Sequence, residues 1–461
     1  MLATSMLVGG GMAAAGAAAA ETPGGTGTKA VLKPGVRYSG SVKYDEGGKT
    51  HQLQGGILEL KTEDGKTLQT YCIDLRNATK PEADYTETGW ASTSLADKPT
   101  QAGKILWILK NSFPQVDEKK LSETSGIAGL TKEDAAVATQ SAIWRLSDGL
   151  NTTPMNNEKA AKLTEYLSQK AVKLEEPKPT LSLSPTAVSG KVNDLLGPIT
   201  VTSNGSVVNL EADAAGAKAG LTITDNAGKE IKTAKSGDKI YAKLPAGTKP
   251  GTADIKATTP SAEVSVGRAF VGVGKDNLHS QTLILAGSEP VKAAANVSVT
   301  WTPAGPSPAV SAKVDCIQGA VVVTVANNGD QDFNFTLAGQ SLTVPAGGSK
   351  NIPVKVAEDA AYDIKVKGTN FEFEKQFTGV LNCKTDTAVT PSPTPSVSAS
   401  TSTTPSAPAT PTASASPSGP VLANTGGGGQ TPLLAGIAGA LVIAGGAAVY
   451  ALRRRGRHSR A

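Results

Sequence analysis

The stretch TYCIDL, residues 70–75, decides how the first domain reads. In a strand, Tyr71, Ile73 and Leu75 face one way, while Cys72 and Asp74 face the other. Upstream, GVRYSGSVKY and GGILELKTEDGKTLQTYCIDL read as strands, with a hairpin turning at Asp64-Gly65. Downstream the period changes to that of helices. AGKILWILKNSFP is stopped by Pro114, and TKEDAAVATQSAIWRLSDGL opens on a capping box, Thr131 with Asp134, and ends at Gly149. NNEKAAKLTEYLSQKAVKLEEP carries an apolar stripe at Ala160, Leu163, Leu167, Ala171 and Leu174. Residues 30–178 are thus expected to form an α+β domain, strands first and a helical part after.

The chain has three cysteines, and Cys316 and Cys383 lie far downstream of Cys72. An unpaired thiol outside the cell needs a reason, and a second oddity supplies one. On the helix expected over 131–149, Ala136, Val137, Gln140, Ile143 and Trp144 share a face. Gln140 is the one amide in that apolar stripe, and a buried amide without partners costs a few kcal/mol. A thiol and an amide held together can condense: the Cys72 sulfur attacks the Gln140 carbonyl, ammonia leaves, and an internal thioester remains. The reaction needs near-attack geometry imposed by folding and an environment that favours the Cys72 thiolate.

YCIDL and TQSAIW (139–144) resemble the cysteine and glutamine motifs, the latter T-Q-x-A-[IV]-W, of the thioester-domain surface proteins of Gram-positive bacteria. The resemblance covers about 150 residues. It implies that Cys72 and Gln140 are the cross-linked pair, that Tyr71 and Trp144 pack around them, and that Trp144 has no chemical part. It also implies a wall-anchored adhesin whose thioester is opened by an amine on a target surface. TLQTYC looks like a sortase active-site strand as well. However, Tyr71 is inserted, which turns the thiol to the opposite face, Arg76 comes too early, and His51 lies too close in sequence.

Beyond this domain the chain reads as β structure. Residues 179–304, with TLSLSPTAVSGKV, GPITVTS, GLTITDNAGKEI, DKIYAKLPAG, TADIKATT and NVSVTWTP, suggest a sandwich-like stalk domain, with His279 at its surface. Residues 307–384 suggest a second, smaller β-sandwich-like domain flanked by Cys316 and Cys383, which are expected to pair in an oxidising exterior. From 387 to 420 the chain is almost entirely Ser, Thr, Ala and Pro, with eight prolines. Such a tract is expected to be extended, with a reach of roughly 100 Å.

The ends direct the chain outward. Residues 1–20 resemble a secretory leader without its basic region, so either the leader is atypical or, as is expected here, the true start lies further upstream. Residues 422–461 hold LANTG, an apolar segment from Pro432 to Leu452, and a basic tail, in the order of a sorting signal of the LAxTG kind. That likeness implies cleavage by a sortase between Thr425 and Gly426 and attachment to peptidoglycan. The net charge of +5 equals the five arginines of that tail, so the rest of the chain is balanced and gives no argument for nucleic acid. Neither a metal-ligand cluster nor a phosphate-binding loop is visible, and no cofactor is expected.

The expected function is covalent attachment through a single-use thioester, with an alternative in which the bond only stiffens the domain. The sequence leaves open the identity of the amine and the presence of isopeptide bonds in the stalk. It also leaves open which of His51, Asp74 and Asp148 assists proton transfer.

Overall fold

The computed structural model describes residues 27–384. The expected leader, the Pro/Ser/Thr tract and the sorting signal with Thr425 and Gly426 lie outside the described residues. Among the described residues no helix is long and apolar enough to cross a membrane.

Six antiparallel strands close into a ring. They are β1 (Lys29–Glu46), β2 (Lys49–Thr62), β3 (Thr67–Cys72), β4 (Asp84–Thr88), β5 (Ala269–Val273) and β6 (His279–Ser288). The order round the ring is β1, β2, β3, β6, β5, β4 and back to β1. Strand alternation sorts the side chains. Leu58, Leu60, Leu68, Cys72, Tyr85, Phe270, Leu283 and Leu285 form the inner cluster. Ile57, Tyr71, Ile73 and Ile284 pack on the helices α1 (Pro99–Lys110), α2 (Glu118–Ser125), α3 (Lys132–Ser147) and α4 (Glu158–Lys170). Helix α3 begins with the expected capping box: the Asp134 N–H donates to Thr131 Oγ1 at 3.1 Å, and the Thr131 N–H donates to Asp134 Oδ2 at 2.9 Å.

A boundary at 178 is not what the strands respect. After α4 the chain builds most of a second module, returns for β5 and β6, then leaves again along Val291–Thr302. Residues 269–288 therefore belong to the ring of the first domain, and β6 sits directly beside the strand of Cys72, with Leu283 opposite Cys72 and Ile284 opposite Tyr71. A buried carboxylate pins these crossings together. Glu87 accepts from the N–H of Thr28 and of Thr180, each at 3.0 Å, and from Arg268 Nε at 2.9 Å. Arg268 Nη1 reaches Glu176 at 3.0 Å.

The second module has a four-stranded and a five-stranded sheet around one core that includes Leu183, Ile199, Val201, Ile240, Ile255, Val297 and Trp301. The third module, from Pro308, has sheets of three and four strands around Val321, Val323, Phe333, Phe335, Val366 and Phe377. Cys316 and Cys383 are joined in a disulfide with Cα atoms 4.9 Å apart. The first domain thus has the expected strands followed by helices, packed on one face of the ring, but the ring is completed by β5 and β6 from far downstream, and the molecule as described is mostly β, with one short helix in the second module.

Candidate functional site

Helix α3 lies across β1 and β2 because two glycines let it. A Cβ at Gly40 would stand 3.1 Å from Val137 Cγ2. A Cβ at Gly55 would stand 3.0 Å from Val42 Cγ2, 3.4 Å from Gln140 Cγ and 3.5 Å from Trp144 Cζ3. The glycines in SGS (39–41) and QGG (54–56) are the signal that the sequence reading passed over. They bring Gln140 and Trp144, one helical turn apart, against the end of β3.

Strand β2 pairs with β3 only as far as Thr70, opposite Leu58, so on that side Cys72 has no strand partner. Gln140 fills the place. The Cys72 N–H donates to Gln140 Oε1 at 2.9 Å, and Gln140 Nε2 donates to the Cys72 carbonyl at 2.8 Å. The carboxamide is therefore docked on the main chain of the residue whose thiol is expected to attack it. Cys72 is 2 % exposed and Gln140 1 %. Both sequence-expected partners are together, on the expected strand and helix, and shielded from water.

The Cys72 sulfur accepts the Asp74 N–H at 3.2 Å. Burial pushes its thiol pKa well up, and the carboxylates of Asp148 and Asp74 push it further; the Trp144 indole and the Asp74 N–H oppose them. The expected thiolate-favouring environment is thus reversed. A low-dielectric site beside two carboxylates disfavours a sulfur anion and suits an uncharged acyl sulfur.

The flanking groups sort clearly. Tyr71 faces the helices, and its hydroxyl donates to the Phe113 carbonyl at 2.8 Å. Trp144, 2 % exposed, packs in the inner cluster with Cys72, but its indole N–H has no hydrogen bond of ordinary geometry. Asp148 caps α3 and accepts the Leu75 N–H at 3.1 Å and the Ser147 hydroxyl at 2.7 Å; burial raises its pKa to about 6. Asp74 is buried and held by Asn77 Nδ2 at 3.0 and 2.9 Å and by His279 Nε2 at 3.1 Å. His51 stays exposed on the β1–β2 ladder, stacked on Tyr44, and has no place at the site.

His279 is a correction. Expected at a surface, it is 6 % exposed, at the start of β6, enclosed by Asp74 and by Asn382 from the third module. Asn382 Nδ2 also donates to Thr282 Oγ1 at 2.7 Å. Nothing local in DNLHSQT announces a partner more than 100 residues away. Two further contacts seat that module: Cys316 N–H on the Ala91 carbonyl at 3.3 Å, and the Ser92 hydroxyl on the Val314 carbonyl at 3.1 Å.

A cleft of about 1190 Å³ opens between the outer wall of the ring and the third module, lined by Val31, Asp84, Val271, Tyr362 and Asn382 among others, but by neither Cys72 nor Gln140. Among the described residues no group of three or more His, Cys, Asp or Glu is placed to hold a metal.

Residues 69–173 match the family model described as "Thioester domain", a span that holds both Cys72 and Gln140. No curated protein matches the chain. Among solved structures, the TIE protein of Bacillus anthracis is similar at 15 % identity over 78 % of this chain and 81 % of that one, with a TM-score of 0.26. The thioester domain of the Enterococcus faecium TIE86 protein is similar at 18 % identity over 60 % of this chain and 97 % of that one, with a TM-score of 0.28. The thioester domain of the Staphylococcus aureus TIE protein is similar at 14 % identity over 60 % and 99 %, with a TM-score of 0.21.

Proposed function

We propose that the domain matched as a thioester domain carries a Cys72–Gln140 thioester and uses it to attach the protein covalently to an amine-bearing surface. One observation carries this reading: the Gln140 carboxamide is docked at 2.8 and 2.9 Å on the main chain of Cys72, with both residues out of water. Held there, the thiol and the amide react as one molecule, at high effective molarity. The sulfur adds to the Gln140 carbonyl, and the carboxamide nitrogen leaves as ammonia, taking the thiol proton. An amine later adds to the same carbonyl, the C–S bond breaks, and the sulfur takes up the proton that the amine gives up. The product is an amide on Gln140 and a free Cys72. Each head reacts once, so this is not a turnover enzyme.

In this reading the second and third modules are a stalk, residues 387–420 a spacer, and LANTG a site where a sortase joins Thr425 to peptidoglycan. The support for these parts is the sequence order described above. The nearly complete burial of both residues also favours the rival reading, in which the bond is only a staple.

Intact mass tests the chemistry. The purified protein is expected to weigh one ammonia less than its sequence, and Cys72→Ala or Gln140→Ala restores that mass. A wild-type chain of full mass refutes the thioester. Methylamine separates the two uses: an adduct on Gln140 with a titratable Cys72 supports attachment, whereas a mass deficit inert to amines favours the staple.

A further inference from the structure

Buried polar groups in folded proteins find partners, and one that does not calls for an explanation. The indole N–H of Trp144 is such a group. Trp144 is 2 % exposed, stands one helical turn from Gln140, and shares the inner cluster with Cys72. The point 3.4 Å from Gln140 Cγ lies 3.5 Å from the Trp144 ring, so the two side chains lie flank to flank. An indole nitrogen only donates. Around the sulfur, Asp74 and Asp148 disfavour negative charge, and one main-chain N–H, that of Asp74, is bonded to it at 3.2 Å. The Trp144 indole, buried in the same cluster and already opposing the rise of the thiol pKa, is the second donor that chemistry at that sulfur can draw on.

We propose that Trp144 is a catalytic hydrogen-bond donor of this site, its indole N–H stabilising the negative charge on the Cys72 sulfur. The proposal rests on the thioester reading above and deepens it. In formation the sulfur gives up its proton and bonds to the Gln140 carbonyl carbon as ammonia departs. In opening the amine nitrogen bonds to that carbon, and the C–S electron pair returns to sulfur, which is reprotonated. In both directions the sulfur carries charge transiently, where two carboxylates oppose it and water is excluded. A fixed donor acts there without reorganisation. The indole N–H has no hydrogen bond of ordinary geometry in the ground state, so its hold on the sulfur strengthens as charge appears, which is the condition under which an interaction speeds a reaction.

The test keeps the ring and removes the proton. Trp144 in the full chain is replaced by benzothienylalanine, in which sulfur stands for the N–H, with Trp144→Phe as a second variant. Methylamine coupling to the preformed thioester is followed by mass. The isostere is expected to melt with the wild type and to couple at least tenfold more slowly, a conservative mark below the roughly hundred- to thousandfold that one oxyanion-hole donor is worth. Coupling within twofold of wild type overturns the proposal. A second measurement does not need the thioester. In the Gln140→Ala protein Cys72 is a free thiol, and its alkylation is followed against pH. The isostere is expected to move that profile to higher pH, and an unmoved profile overturns the proposal even if the wild-type chain never loses ammonia.

Discussion

A chain cut at residue 178 keeps everything that the sequence marks as the reactive domain, yet it is expected not to fold. The cut removes β5 and β6, opening the ring and leaving β3 and β4 each without one of its two neighbours. Phe270, Leu283, Ile284 and Leu285, all fully buried, go with them. At about 1.5 to 3 kcal/mol for each such side chain, the loss is roughly 6 to 12 kcal/mol. That matches the whole stability of an ordinary domain, about 5 to 15 kcal/mol. The cut also deprives Glu87 of Arg268, leaving a buried carboxylate without its cation. The assay is thermal melting by circular dichroism, with intact mass, on fragments 27–178 and 27–304. The longer fragment is expected to melt cooperatively and to lose ammonia; the shorter one should do neither. A fragment 27–178 that melts cooperatively and carries the mass deficit would refute the argument that the site depends on ring closure.

Two further outcomes follow from other parts of the molecule. Asp148 holds its proton up to about pH 6 when folded, above the ordinary aspartate value of 3.8. The folded state therefore binds that proton more tightly than the unfolded state. The stabilisation is absent well above pH 6, grows as pH falls through it, and saturates below 3.8, reaching about 2 to 3 kcal/mol. Urea midpoints of the wild type are expected to gain on those of Asp148→Asn as pH falls from 7 to 4, and parallel curves would contradict the assignment. Opening the Cys316–Cys383 disulfide, which spans 67 residues, is expected to cost about 4 kcal/mol in the chain-entropy view. Because Cys383 adjoins Asn382, phosphine reduction should also raise hydrogen exchange at His279 and Thr282, while unchanged protection there would separate the disulfide from the docking of the third module.

What the sequence made legible was local. The capping box of α3 and the amide in its apolar stripe are patterns within a few residues, and Cys72 and Gln140 meet where those patterns place them. The disulfide followed from a pair of cysteines in a segment expected to be exported. The ring was not legible, because strand pairing between residues 72 and 283 leaves no mark in either segment. β6 alternates like any strand, and its period says nothing of whose edge it joins. His279 failed for the same reason, its burial being supplied by Asp74 and Asn382 across the fold. Trp144 was read by its bulk, and an N–H without an acceptor becomes visible only when every neighbour has been placed.

The to-and-fro of the chain between ring and second module has a mechanical consequence. A target coupled at the Gln140 carbonyl would pull on α3, and everything before it, Cys72 included, would lie off the line of tension. Toward the C-terminal side that line enters the second module, returns through β5 and β6, and leaves along Val291–Thr302. This last strand is held between Gly251–Ala262, antiparallel, and Ala187–Lys191, parallel. Force along its axis slides it against both neighbours, loading the rungs of two ladders together, not one after another. The join between reactive end and tether would thus fail by shear, a far stiffer mode than the unzipping that a simple end-to-end string of domains would allow at its weakest hairpin.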